Sequence, residues 1–204
     1  MVINFNNIFT TEKEMTLPII ETERLILRLL EKSESQLALD YFTRNKEHLG
    51  ATMPTLKPSF FELSHWENRV DKNISEFNDG SSCRFFILPK EKSVVIGTAN
   101  FTEILRGVYQ GCFLGYGIDK EHEGKGLMSE ALKPAIDYAF NELNIHKILA
   151  NYMPWNKSSG RVLEKLGFYE VGLVKEELYL SGKWQDHIET RSINPNWKNT
   201  IGDS

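Results

Sequence analysis

The sequence is poor in the features that mark a membrane protein, a nucleic-acid binder or a metalloprotein. It has only two cysteines, Cys83 and Cys112, at no metal-like spacing. A disulfide framework needs more, and a zinc site needs about four ligands, so both read as reduced core thiols and no metal is expected. No apolar run approaches the ~18 residues of a membrane span. The opening MVINFNNIFTTEKEMT has no basic region followed by an apolar stretch and does not read as a secretion signal. A basic surplus is missing too. A formal net charge of −4 argues against a broad phosphate-neutralising surface, while saying nothing about a local groove. Repeats and low-complexity tracts are absent. What remains is the expectation of a soluble, cytoplasmic protein with no membrane or direct nucleic-acid partner. Its 204 residues, 41% of them hydrophobic, suffice for one self-supporting core. The reading divides the chain into an N-terminal extension (1–16), a single domain (17–197) and a C-terminal tail (198–204).

Along that domain, ETERLILRLL alternates, placing Leu25, Leu27 and Leu29 on one face and Arg24 and Arg28 on the other, which predicts a strand. Helical spacing follows over 33–48 and again over 61–78, with the Pro-bearing loop GATMPTLKPS between them. A hairpin of RFFIL and VVIGTANF leads to the strand CFLGYGI, the loop DKEHEGKG and the helix LMSEALKPAIDYAFNEL. Pro134 should bend that helix. The strand HKILANYM precedes a short helix with Asn156 as N-cap and Gly167 after its end. FYEVGLV, EELYL and KWQDHIETRSI read as closing strands. Mixed strands and helices around one sheet predict an α/β (α+β) domain with helices on both faces.

Two places carry chemistry. In CFLGYGI–DKEHEGKG–LMSEAL a strand delivers Gly124 and Gly126 to a helix start. Glycines there let the backbone approach a ligand, and the free amides of the first helical turn form an anion site, to which Lys125 adds a cation. The loop fits neither a P-loop, which requires GxxxxGK before Ser or Thr, nor a dinucleotide fingerprint, whose third glycine is replaced by Ser129. In the second place, MPWNKSSGRVLEKLGF, Asn156 and Ser159 begin a helix after a sheet strand. They would face the same end of the sheet as the GKG loop if the two strands are neighbours.

Taken together, these pieces resemble the GNAT acyltransferase superfamily over roughly residues 20–195. At finer grain they resemble the RimJ/RimL group of protein N-terminal acetyltransferases. The matching segments are TERLILR, IGTANF, LGYGI, GKGLM, NYMPWNKSSG and GKWQDH, and the last two look most like the RimJ type, which acetylates an N-terminal alanine of a ribosomal protein. The resemblance implies a GNAT fold, a mixed and mostly antiparallel sheet splayed between CFLGYGI and HKILANYM, with acetyl-CoA in the splay and a protein N-terminus as acceptor. It also implies roles. Tyr116, Gly117 and Ile118 would pair with the pantetheine arm through their backbone. The amides of Gly124, Lys125, Gly126, Leu127, Met128 and Ser129 would hold the pyrophosphate. Asn156 would bind the pantetheine, and Ser159 would sit near the sulfur.

The match has gaps. The first position of the family's Q/R-x-x-G-x-G loop is Glu121, whose charge opposes a phosphate. Asn151, Leu163 and Leu178 stand where related enzymes carry a base, an acid and a glutamate, so the resemblance supplies no general base. Direct transfer still needs a neutral amine, a polarised carbonyl and a donor for the leaving thiolate. A backbone N–H of CFLGYGI can serve the carbonyl, at roughly 2.7–4 kcal/mol. Ser159 is the candidate donor. A water could relay the amine proton to Glu176 or Glu103. Trp184, Asp186 and His187 in the last hairpin, and Arg28 on the first strand, are candidates for the acceptor groove, with Asp186 drawing in the ammonium. Asp119 and Glu121 read as solvated loop.

Overall fold

A computed structural model describes residues 17–199 and 201. The predicted extension (1–16) lies outside the described residues, as does most of the predicted tail. Leu25, Leu27 and Leu29 are buried on one face as their alternation requires, but the segment is not one strand. β1 (Ile19–Glu21) and β2 (Leu25–Arg28) form a hairpin. Thr22 makes the turn, its Oγ1 accepting from the Leu25 N–H at 2.9 Å. Side-chain-to-backbone bonding of this kind is what Thr offers in competition with strand pairing.

The next helices are α1 (Ser35–Arg44), α2 (Lys46–Gly50) and α3 (Leu63–Asn78). After them come β3 (Cys83–Pro89), β4 (Gly97–Leu105) and β5 (Gly111–Ile118). α4 (Leu127–Asn141) runs through Pro134 as one helix and is followed by β6 (Lys147–Tyr152) and α5 (Lys157–Lys165). The two predicted strands FYEVGLV and EELYL merge into one bulged strand, β7 (Tyr169–Leu180), which pairs with β8 (Lys183–Ile193).

The eight strands form one sheet in the order β1-β2-β3-β4-β5-β6-β8-β7. Every pair is antiparallel except β5–β6. One face packs Leu27, Phe85, Ala99, Leu114 and Ile148 against the apolar stripe of α4 (Met128, Ala131, Leu132, Ala135, Ala139) and Leu163 of α5. The other packs Phe86 and Leu88 against Tyr41 of α1, Leu49 of α2 and Trp66 and Val70 of α3. Cys83 and Cys112 are free and fully buried. Among the described residues no helix is long and apolar enough to cross a membrane.

The parallel pair positions the site. β5 and β6 are in register only over Gly111–Phe113 and Lys147–Leu149. Beyond that they part, so the edge of Leu114–Ile118 facing β6 has backbone groups with no strand partner. Buried backbone polar groups are almost always paired, so this edge is suited to an extended ligand.

Candidate active site

The gap between the parted strands opens into a cavity of ≈ 710 Å³. Tyr116, Gly117 and Ile118 line one side, Gly124, Gly126, Leu127, Met128 and Ser129 the loop and helix start, and Asn156 and Ser159 the start of α5. Two segments that the sequence could only conjecture to be neighbours thus face one space.

The loop is shaped by its glycines. Gly124 and Gly126 have φ of 71° and 75°, a left-handed backbone that costs other L residues about 1–2 kcal/mol. A Cβ built on Gly124 would meet no atom within 4 Å, and one on Gly126 only the Arg24 guanidinium at 3.9 Å. The backbone is therefore bare towards the cavity, as an anion cradle at a helix N-terminus requires. The carbonyl side of the loop is held by Arg24, which reading it as part of a strand did not foresee. Its guanidinium donates to the Lys125 carbonyl (3.3 Å) and to Glu130 Oε2 (2.7 Å), and Thr22 Oγ1 donates to Glu130 Oε1 (2.6 Å). Burial pushes the Glu130 carboxyl up, but the donors from Thr22 and Arg24 outweigh it and hold its pKa below the ordinary value. Glu121, the departure from the family loop, is exposed and does not line the cavity.

At α5, Asn156 Oδ1 accepts the Ser159 N–H (3.2 Å) and the Ser158 hydroxyl (2.8 Å), so its carbonyl oxygen is committed to the helix cap. Gly160 admits the ring of Tyr152: a Cβ there would stand 2.8 Å from Tyr152 Cζ. The helix closes as the Gly167 reading required, with φ of 81° and the Phe168 N–H donating to the Leu163 carbonyl at 3.0 Å. Arg161 and Lys165, four residues apart on α5, also line the cavity and give a chain of net charge −4 a locally cationic wall. Their spacing was visible in the sequence but was not singled out there.

The opposite wall comes from α2 and the turn after it, through His48, Leu49, Ala51 and Thr52. This wall is fastened to the loop after β5. Asp119, expected as solvated loop, is buried and paired with Arg44 at 2.8 Å. Arg44 also donates to the Val95 carbonyl. His48 Nε2 lies 3.2 Å from Glu123 Oε1, and among the described residues Glu123 is the carboxylate lining the cavity.

Several candidates from the sequence lie elsewhere. Arg28 does not line the cavity; its guanidinium meets Glu34 through contacts of 2.5 and 2.6 Å beside β2, and that pairing raises its pKa. Glu103 and Glu176 are exposed, at irregular positions with φ of 51° and 50°, and neither lines the cavity. The bulge around Glu176 breaks the parity that would have aligned it with Leu178. Asp186 accepts the Glu176 N–H at 2.9 Å and so braces that bulge. Trp184 is exposed and packs edge-on against Tyr179, and His187 is buried with Nδ1 3.1 Å from the Gln185 carbonyl. The hairpin tip does reach the α2 wall, Ser181 Oγ donating to the Gly50 carbonyl at 2.7 Å.

A strand parted from its parallel neighbour over a glycine-bearing helix start is the arrangement of an acyl-CoA N-acyltransferase. The acetyltransferase (GNAT) domain family model matches residues 24–169, and the chain belongs to that family. It is 38% identical over 179 residues to a ribosomal protein uS5-alanine N-acetyltransferase of Escherichia coli, covering 87% of this chain and 92% of that one. The structure of the ribosomal-protein-S5-alanine acetyltransferase of Vibrio fischeri superposes with a TM-score of 0.86 at 34% identity, covering 89% of this chain and all of that one. A spermidine N-acetyltransferase of Vibrio cholerae, solved with CoA and spermine, superposes with a TM-score of 0.69 at 26% identity, covering 86% and 98%.

Proposed function

We propose that this chain transfers the acetyl group of acetyl-CoA to the N-terminal α-amino group of a protein, a ribosomal protein with an N-terminal alanine being the expected acceptor. The observation that carries the reading is likeness to uS5-alanine N-acetyltransferases over most of the chain, at 38% identity over 179 residues to one of them. In this reading the unpaired edge of Leu114–Ile118 receives the pantetheine arm, and the amides of Gly124–Ser129 receive the pyrophosphate. Lys125, Arg161 and Lys165 supply cations for the phosphates. Ser159 stands beside the sulfur. A backbone N–H of β5 meets the negative charge that develops on the carbonyl oxygen.

The acidity of the acceptor also favours one kind of amine. An α-amine, with a pKa of about 7.7–8.0, is neutralised at pH 7 for roughly 1 kcal/mol, whereas a lysine amine near ~10.4 costs roughly 4.6 kcal/mol. The lining residues described that could take the amine proton are Glu123, with His48 at 3.2 Å, and His122, so the cost of neutralising the amine decides which acceptor suits the site.

The test is a competition. A peptide with a free N-terminal alanine and no lysine, spermidine, and a lysine-bearing peptide with a blocked N-terminus are offered with acetyl-CoA, and kcat/KM is measured for each. The first should exceed the others by at least about tenfold, with a pH profile that rises to a plateau with an apparent pKa of about 7.7–8.0. A preference for spermidine would assign the site to a small amine instead. Acetyl-CoA binding without turnover on any amine would point to a non-catalytic partner in ribosome assembly.

A further inference from the structure

A serine hydroxyl is a weak and freely rotating donor, and its proton turns to whichever acceptor suits it. Serving a leaving thiolate requires that proton to point at the sulfur at the moment of bond breakage. Ser159 is held by more than its own helix. Its Oγ lies 2.7 Å from the phenol oxygen of Tyr116, a contact in which either hydroxyl can donate, and the same phenol can instead donate to the Ser159 carbonyl at 3.1 Å.

Both partners are fixed from behind. Tyr116 alternates on β5 with Cys112 and Leu114, so its ring packs with the core on the α4–α5 face. Ser159 is anchored through its N–H to Asn156 Oδ1, and Gly160 lets α5 lie against Tyr152. Burial pushes the Tyr116 phenol up to about 12, with the hydrogen bond to Ser159 pulling the other way. The phenol therefore keeps its proton throughout the range in which an α-amine is deprotonated.

We propose that Tyr116 is a positioning residue for thioester cleavage: its hydroxyl donates to Ser159 Oγ and turns the Ser159 proton towards the departing sulfur. The proposal rests on the reading that Ser159 serves the sulfur. Tyr116 occupies a lone pair of Oγ, so the Ser159 O–H is free to point into the cavity, and two hydroxyls in series polarise one another. During transfer the amine nitrogen forms the C–N bond as the C–S bond breaks, and the electron pair leaves on sulfur. The nitrogen sheds one proton and the sulfur ends with one. Ser159 and Tyr116 retain their own protons over the cycle and act by hydrogen bonding.

The experiment compares wild type, Tyr116→Phe, Ser159→Ala and the double variant, using acetyl-CoA and an alanine-N-terminal peptide. Tyr116→Phe should lower kcat by about 10- to 100-fold, at or below the lower end of the range for acid–base groups because Tyr116 acts through Ser159. The KM for acetyl-CoA should stay within about twofold, and the rise in Tm on adding acetyl-CoA should persist. The double variant should be no slower than the slower single variant. Wild-type kcat in Tyr116→Phe, with Ser159→Ala slow, would overturn the pairing alone, as would a double variant slowed by the product of the two single effects. Wild-type kcat in Ser159→Ala would overturn the underlying reading of Ser159, and the pairing with it. If Tyr116→Phe does not fold, 3,5-difluorotyrosine at position 116 carries the test with almost unchanged shape. Its more acidic phenol should add an alkaline limb to the kcat profile that wild type lacks, and an unchanged profile would overturn the proposal.

Discussion

The two walls of the cavity are built by different means. The wall of Gly124–Ser129 and α5 is mainly local: glycines with left-handed φ, helix N-terminal amides, and an N-cap reaching three residues along the chain. The wall of α2 is tertiary. His48–Thr52 are placed by Arg44 on Asp119, by His48 on Glu123, and by the tip of a hairpin some 130 residues away in sequence, where Ser181 bonds the Gly50 carbonyl. A locally built wall should be hard to disturb except at its own residues. A tertiary wall should respond to changes far along the chain.

The sharpest break of this contrast is Gly126→Val. A β-branched residue at φ of 75° is strained, so the loop backbone that presents the amides must shift. Wild type should gain Tm with saturating acetyl-CoA by mass action, and the variant should lose that gain entirely. A retained gain would mean that the cradle is not where the cofactor phosphates rest.

Gly160→Ala comes next. Its Cβ would stand 2.8 Å from Tyr152 Cζ, so either the Tyr152 ring or α5 must give way. Overpacking of this kind costs about 1–3 kcal/mol, and displacing Ser159 by it should lower kcat by about tenfold. Unchanged kcat in steady-state assays would show that α5 tolerates the shift.

Arg24→Ala tests a long-range support of the local wall. Losing its bonds to the Lys125 carbonyl should raise the KM for acetyl-CoA roughly 3- to 10-fold and leave kcat nearly unchanged. The same brace gives a pH signature. Because the folded pKa of Glu130 lies below 4.5, its contribution to stability is present above that value and is lost as pH falls through the depressed pKa. As pH falls from neutrality through 4.5 and below, Glu130→Gln should therefore lose less Tm than wild type. A parallel loss in both would remove the brace from the account.

The smallest effect belongs to the tertiary wall. Asp186→Ala should unbrace the β7 bulge, lowering stability by about 1 kcal/mol and raising the KM for peptide while sparing that for acetyl-CoA. Equal changes in both constants would erase the distinction between the walls.

The same contrast explains what the sequence disclosed. The alternation of Leu25, Leu27 and Leu29, the apolar stripe of α4 and the Asn156 and Gly167 caps are local patterns, and each folds as read. The GKG and NKSS segments were legible because their spacing within the chain is their geometry. The partners of Arg28, Asp186 and His187 were not legible, because charge and strand parity cannot reveal a partner. Arg28 finds Glu34, Asp186 finds a bulge that shifts the register, and His187 goes inward. Asp119 was read as solvated because Arg44, 75 residues earlier, leaves no local sign of the pairing. The α2 wall was missed altogether, since no short motif marks it.

The central claim is that the acceptor is an α-amine, and one product analysis tests it most directly. A peptide with an N-terminal alanine and internal lysines is incubated with acetyl-CoA and the enzyme, alongside the same peptide formylated at its N-terminus, and the acetylated positions are mapped by mass spectrometry. Acetylation at the α-amine of the free peptide, and none on the formylated one, is the predicted result. Lysine acetylation of the formylated peptide at a comparable rate would contradict it.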